Sequence, residues 1–253
     1  MLDLRLISAE VLKLRRRRGM LAISLLLTAG LMAVAFVVMA VQHGGNPARY
    51  GPAGGLDNYQ DDIGVVTLMA LVVGTIIGAT AGTQDIESGV FRDLAATGRS
   101  RMALFASRVA GAWAVILPVL AVTAGLTAAG CIALAGSLAA PGAGAIVAGT
   151  SAVLVAGALS TAVAVGVAAL VGSRGPVIGI LLAFYLGVQN LLLVMGFLGG
   201  ARQIVPDVAI HRIGDLAPTP GVHVGLGAAI LVVIAWSALT LGLGAWRTKT
   251  REI

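Results

Sequence analysis

The sequence predicts an all-α integral membrane protein with six transmembrane helices, an N-terminal interfacial amphipathic helix and both termini in the cytoplasm. Three observations lead there. Of the 253 residues, 58% are hydrophobic and only 11% are charged, whereas a soluble domain carries about 25% charged residues. Six stretches are apolar for the length of helix, about 20 residues, that crosses a hydrocarbon core. The basic residues fall almost wholly on one side of those stretches, as they do in membrane proteins that keep Lys and Arg in the cytoplasm. A water-soluble globule of this composition would lack the polar surface to cover itself.

The elements follow in chain order. In residues 1–18, Leu4, Ile7, Val11 and Leu14 recur at helical spacing and mark one face, while Arg5, Glu10, Lys13 and Arg16 occupy much of the rest. The expectation is an interfacial helix whose basic side, with Glu10, Lys13 and Arg16, meets the headgroup region. The spans are expected at about 20–41, 63–82, 102–136, 145–171, 177–199 and 224–245, together forming a single transmembrane domain over 1–253. The first is too long for a signal peptide, whose apolar core runs about 7–15 residues, although Val38-Met39-Ala40 would pass as a cleavage site. The third contains Pro118, where a tilt or kink is expected. The fourth and fifth are parted only by the basic turn Gly172-Ser173-Arg174-Gly175-Pro176.

The connections carry the polar residues. The outer loop 43–62 is rich in Gly and Pro, carries Asp57, Asp61 and Asp62, and reads as flexible and solvated. Segment 83–101, TQDIESGVFRDLAATGRSR, is the most polar stretch between two spans. Ile86, Val90, Phe91 and Leu94 suit one side of a short amphipathic helix, which Gly98 would end and after which Ser100 would cap the next. On its residues alone it serves equally as a docking element for a soluble partner or as a charged turn. The outer segment 200–223, bounded by Pro206, Pro218 and Pro220, sets Ile204, Val208, Ile210 and Leu216 among Asp207, His211, Arg212 and Asp215. It reads as an ordered interfacial loop.

Orientation follows from charge. With both termini inside, the cytoplasmic segments hold Arg5, Lys13, Arg15, Arg16, Arg17, Arg18, Arg92, Arg99, Arg101, Arg108, Arg174, Arg247, Lys249 and Arg251, leaving only Arg49, Arg202 and Arg212 of the 17 basic residues outside. Within the spans, Gly74, Gly78 and Gly82, and likewise Ala158, Ala162 and Gly166, repeat at the four-residue spacing that lets helices approach closely. Gln189 and Asn190 are an adjacent amide pair inside a span, suited to interhelical hydrogen bonds or to a substrate path.

Several chemistries lack their residues. No ionisable side chain is expected at the centre of a span, where ion-coupled carriers place them. The phosphate-cradling Gly-x-x-x-x-Gly-Lys-Ser/Thr loop is absent, since neither Lys13 nor Lys249 follows a Gly. His43, His211 and His223 all fall in outer loops, with no metal-ligand spacing and no partner for intramembrane catalysis, so neither a metal nor a catalytic residue is expected. Cys131 is a lone cysteine in an apolar stretch, which excludes an intrachain disulfide. The excess of basic charge reports topology, and no nucleic-acid role is expected.

Segment 83–101 resembles the cytoplasmic loop of type-2 ATP-binding-cassette exporter permeases. In that loop a Glu precedes a Gly, an Arg and Leu residues, and a Pro-x-Ser-Arg end leads into the third span. Here Glu87, Gly89, Arg92, Leu94, Thr97, Ser100 and Arg101 fall at matching positions, with Val90 in place of a usual Thr and Gly98 in place of a usual Pro. The stretch Ala9-Glu10-Val11-Leu12-Lys13-Leu14-Arg15-Arg16 is similar to the family's Glu-x-x-Lys-Leu-Arg N-terminal helix. The resemblance implies a permease subunit in a bacterial cytoplasmic membrane, without an ATPase site of its own. It implies a second permease chain, identical or homologous, and two copies of a cytoplasmic ATPase that bind ATP and Mg. Glu87, Gly89, Phe91, Arg92, Leu94 and Arg101 would couple it to that ATPase. The resemblance also implies export and an outer segment 200–223 that dips back into the membrane, while the apolar bundle with few buried polar groups favours a lipophilic or amphiphilic cargo (drug, lipid or peptide). On the residues alone, a six-span assembly or sensor protein and an ion-coupled carrier stay open.

Overall fold

In hydrocarbon a backbone must satisfy its own N–H and C=O groups, and an apolar segment does so as a helix. The computed structural model describes residues 4–90 and 100–250, and among these every regular element is helical. A short N-terminal helix, Leu4–Arg16, ends at Arg17, where the backbone leaves helical geometry (ψ 66°). Six membrane-length helices follow: Arg18–Gly45, Leu56–Glu87, Arg101–Ala133, Ala143–Val171, Arg174–Val194 and Leu226–Thr250, here spans 1 to 6. Spans 1 and 5 each contain a π-helical turn, Leu26–Gly30 and Phe184–Val188. Span 3 runs through Pro118 as one helix. At the end of the bundle opposite the termini a 3-10 segment, Gly196–Ile204, and a short helix, Pro206–Ile213, precede span 6.

Spans 2 and 4 are the core pair: 72% of the apolar window of each is buried, against 17%, 22% and 11% for spans 1, 5 and 6. Small residues set their separation. A Cβ on Gly74 would lie 2.1 Å from Ser160 Oγ, one on Gly78 2.5 Å from the Thr161 carbonyl, and one on Gly82 2.4 Å from Ala168 Cβ. The glycine repeat of span 2 is therefore a packing seam. Its partner surface is Gly157, Ser160, Thr161, Ala164 and Ala168 rather than the Ala158-Ala162-Gly166 repeat. Gly166 turns instead to span 6, where its backbone meets Gly244 and the Thr240 carbonyl. Ser160 and Thr161 donate their hydroxyls across the seam to the Ala70 and Gly74 carbonyls (3.4 and 3.3 Å). Buried Thr67, Thr75, Thr83, Thr127 and Thr248 satisfy their hydroxyls on the carbonyl four residues back.

Two connections differ from the sequence expectation. The first connecting loop is exposed over 44–51 but pinned at its end, where the amides of Gly54, Gly55 and Leu56 donate to the carbonyls of Leu134, Cys131 and Ala139 (2.9, 2.9 and 2.8 Å). Ala53 is buried, and a Cβ on Gly54 would lie 2.3 Å from the Cys131 carbonyl, so this Gly-rich stretch buys close backbone approach. Span 2 consequently starts at Leu56 and also runs on to Glu87, so residues 83–87 are its last turn and not loop. Gly89, with φ +73°, closes that helix in the left-handed conformation.

Span 3 begins as expected, with the Ser100 hydroxyl accepting from the Ala103 amide at 3.0 Å. Ser100→Ala removes this cap and is expected to cost about 1 kcal/mol. Thermal unfolding in detergent checks it, with Ser100→Asp retaining stability.

Candidate functional site

The N-terminal helix does not only lie on the bundle; it places charge inside it. Ile7, Glu10, Val11 and Leu14 share one stripe at three- and four-residue steps. Span 3 opens room for that stripe at Gly111, where a Cβ would sit 2.6 Å from Glu10 Cβ. Glu10 (7% exposed) and Leu14 (1%) are buried there. The expectation that Glu10 and Lys13 face headgroups is thus overturned: the stripe meeting span 3 includes Glu10, and Lys13 reaches inward beside it. Leu4 is 78% exposed and Arg16 is also exposed, so these residues keep the outward side.

Four charges meet at this point. Lys13 Nζ donates to Glu10 Oε1 at 2.8 Å and to Asp85 Oδ1 at 3.0 Å. The other Asp85 oxygen accepts from Arg108 Nη2 at 3.1 Å, and Arg108 Nη1 reaches the Gly82 carbonyl at 3.4 Å. Arg108 is 1% exposed and Asp85 5%. Among the described residues the cluster sets two acids against two bases. Single buried ions are costly in such a setting, whereas a hydrogen-bonded set is tolerated. Burial of Lys13 works against its charge, but the hydrogen bonds and charges of Glu10 and Asp85 outweigh it and hold the ammonium above the ordinary value of 10.5. A raised folded value stabilises the fold at every pH below the ordinary one, and that contribution is lost as pH rises through the folded value. Lys13 therefore stays ionised across physiological pH. The cluster ties the N-terminal helix to the last turn of span 2 and the second turn of span 3.

Asp85 was not singled out by the sequence, and Arg108 served only as a topology marker. The available signal was their positions: an acid in the last turn of one span and a base near the start of the next, which an antiparallel hairpin brings together.

The other expected coupling residues are dispersed at the same end of the bundle. Glu87 is exposed, and its Oε1 accepts from the Arg174 amide at 2.6 Å, placing a carboxylate at the N-terminus of span 5. Gly89 terminates span 2. Arg101 Nη1 donates to the Lys249 carbonyl at 3.4 Å, joining the start of span 3 to the end of span 6. Phe91, Arg92, Leu94, Thr97 and Gly98 lie outside the described residues.

At the opposite end the Gly196–Ile213 elements form a cap. Arg202 donates to the Leu193 and Gly221 carbonyls (3.1 and 3.2 Å), and Trp236 Nε1 to the Ile204 carbonyl (2.9 Å). Val208 and Ile210 are buried under the cap, whose Gly214 lies against Ala152 of span 4. Gln189 and Asn190 diverge. Gln189 is 1% exposed and donates to Asp207 Oδ1 at 3.4 Å, with its own Oε1 buried and without a partner among the described residues. Asn190 is exposed and donates back to Leu186. His211 Nδ1 takes the Ala217 carbonyl at 3.0 Å, and its Nε2 stands 3.8 Å from Asp207 Oδ1.

A family model described as "ABC-2 family transporter protein" matches residues 6–190, from the N-terminal helix to span 5. No curated protein matches the chain.

Proposed function

The chain belongs to the ABC-2 transporter family, and we propose that it is the permease subunit of an ATP-driven exporter in which the Glu10–Lys13–Asp85–Arg108 cluster carries motion from the ATPase into the spans. Membership makes it a multi-pass permease of an ABC transporter and implies partnership with an ABC ATPase subunit. The observation that supports the finer reading is the buried cluster itself. A helix merely resting at an interface has no need of a charge network costing several kcal/mol to desolvate. A helix that must push and pull on spans 2 and 3 does.

In this reading both termini lie in the cytoplasm of a bacterial cell, because that end of the bundle collects the basic residues. Two permease chains, identical or homologous, assemble with two ATPase chains, which bind ATP and Mg. The part of segment 83–101 beyond the end of span 2 docks on the ATPase: Arg92 pairs with an acidic group, and Phe91 fills an apolar cleft. Glu87 and Arg101 pass the movement sideways, to the start of span 5 and the end of span 6. Cargo is lipophilic or amphiphilic (drug, lipid or peptide), in keeping with the apolar bundle, and Gln189 and Asn190 are polar groups beside its path.

The experiment is a mild-detergent pull-down of the chain from its own membrane, followed by an ATP-hydrolysis assay. A stoichiometric ATPase is expected with the native chain, falling about tenfold or more for Arg92→Glu, the low end of the roughly 1.5–7 kcal/mol that a close interfacial charge pair contributes. A chain recovered without ATPase activity would reject the reading.

A further inference from the structure

Spans 1, 2 and 5 do not close against one another at the end that carries the termini. They leave a cleft of about 430 Å³, open to the side, with Arg17 and Arg174 among its lining residues and Met20, Ile23, Ile76 and Ile178 giving it an apolar wall. The two arginines are delivered by backbone breaks. Arg17 is the non-helical residue between the N-terminal helix and span 1, and Arg174 is the first residue of span 5, two positions after Gly172 at φ +80°. The Arg174 amide is taken by Glu87. Neither guanidinium has an ion-pair or hydrogen-bond partner among the described residues, whereas Lys13 and Arg108 nearby are held by carboxylates. Ile23 lies six residues below Arg17, about 9 Å along the helix. The apolar wall therefore continues from the charged rim into the depth where acyl chains run.

Two guanidiniums without an ion-pair partner among the described residues, over an apolar groove between transmembrane helices, match an anionic headgroup with a hydrocarbon tail. We propose that this cleft is a binding site for an anionic phospholipid, its phosphate held between Arg17 and Arg174 and one acyl chain lying along Ile23, Ile76 and Ile178. The site joins three elements through one lipid: the turn that links the N-terminal helix to span 1, the middle of span 2 and the start of span 5. Assigning the lipid to the cytoplasmic leaflet rests on the orientation proposed above; the binding itself does not.

The test uses the full chain, purified alone in detergent with mixed phosphatidylglycerol and phosphatidylcholine of equal chain length, and counts retained lipid by native mass spectrometry. The native chain is expected to keep a single phosphatidylglycerol in preference to phosphatidylcholine. Arg17→Gln/Arg174→Gln should weaken that retention about thirtyfold, from about fivefold for each cation near a headgroup. Arg16→Gln/Arg18→Gln, exposed and off the cleft, should change it by no more than about fivefold, the share of general charge attraction. Ile76→Trp keeps both guanidiniums but fills the groove, and should also lose the lipid. Equal loss in the two arginine pairs would reduce the effect to general charge attraction and overturn the site, as would unchanged retention in Arg17→Gln/Arg174→Gln. Because no ATPase takes part, failure here leaves the ATP-driven reading intact, and a failed pull-down leaves this site intact.

Discussion

Asp85→Asn is expected to be the most damaging single substitution in the chain that leaves side-chain volume unchanged. It removes the carboxylate that joins Lys13 to Arg108 and takes a buried ion pair away from a guanidinium that is 1% exposed. Breaking a buried pair in this way costs about 3–5 kcal/mol, which should appear as a large fall in thermal midpoint in detergent and in the yield of folded chain. Arg108→Met should cost less, because Asp85 keeps Lys13. The double variant Asp85→Leu/Arg108→Met is the informative one. Replacing a buried pair by apolar side chains is often neutral or stabilising, so the fold should recover to near the native midpoint while ATP-driven movement of the bundle does not. If each single substitution instead costs less than about 1 kcal/mol, the cluster behaves like a solvated surface network and cannot serve as a mechanical joint.

Gly78→Leu is the second large effect. A Cβ there would already sit 2.5 Å from the Thr161 carbonyl and 2.8 Å from Ala164 Cβ, both on the helix facing it. Neither can yield without separating spans 2 and 4, and that separation also breaks the hydroxyl bridges from Ser160 and Thr161. Overpacking at a seam of this kind costs about 3 kcal/mol, read as loss of folded, monodisperse protein. Gly125→Leu supplies the contrast. Nothing lies within 4 Å of a Cβ at that position of span 3, so its midpoint should stay within about 0.5 kcal/mol of native. Similar losses at both glycines would mean that the seam is not what holds the core pair together.

The six-helix architecture was legible because lipid imposes it: apolar length gives the spans. Ser100 was legible as a cap because its chemistry is local. The charge cluster was not. Its members lie 72 residues apart between Lys13 and Asp85 and 23 between Asp85 and Arg108, and no periodicity links them. Glu10 also fell on the wrong side of the N-terminal helix. Its stripe reads as apolar at Ile7, Val11 and Leu14, and only Gly111 on another helix makes room for an acid there. The first outer loop misled for the opposite reason. Gly and Pro ordinarily mark flexible chain, but Gly54 and Gly55 are used for close contact with the carbonyl end of span 3. The small-residue repeat of span 4 pointed partly to the wrong neighbour, because one helix presents different faces to spans 2 and 6.

The central claim is that the N-terminal helix moves as one body with spans 2 and 3 because charge binds them. The direct measurement is the distance between nitroxide labels at Ser8 and Met102, both exposed, in the lipid-reconstituted complex with its ATPase, before and after MgATP. A second pair at Ser8 and Leu226 reports on span 6. The account predicts a constant Ser8–Met102 distance, a changed Ser8–Leu226 distance, and release of the first constraint in Asp85→Leu/Arg108→Met. A Ser8–Met102 distance that shifts on MgATP in the native chain would contradict it.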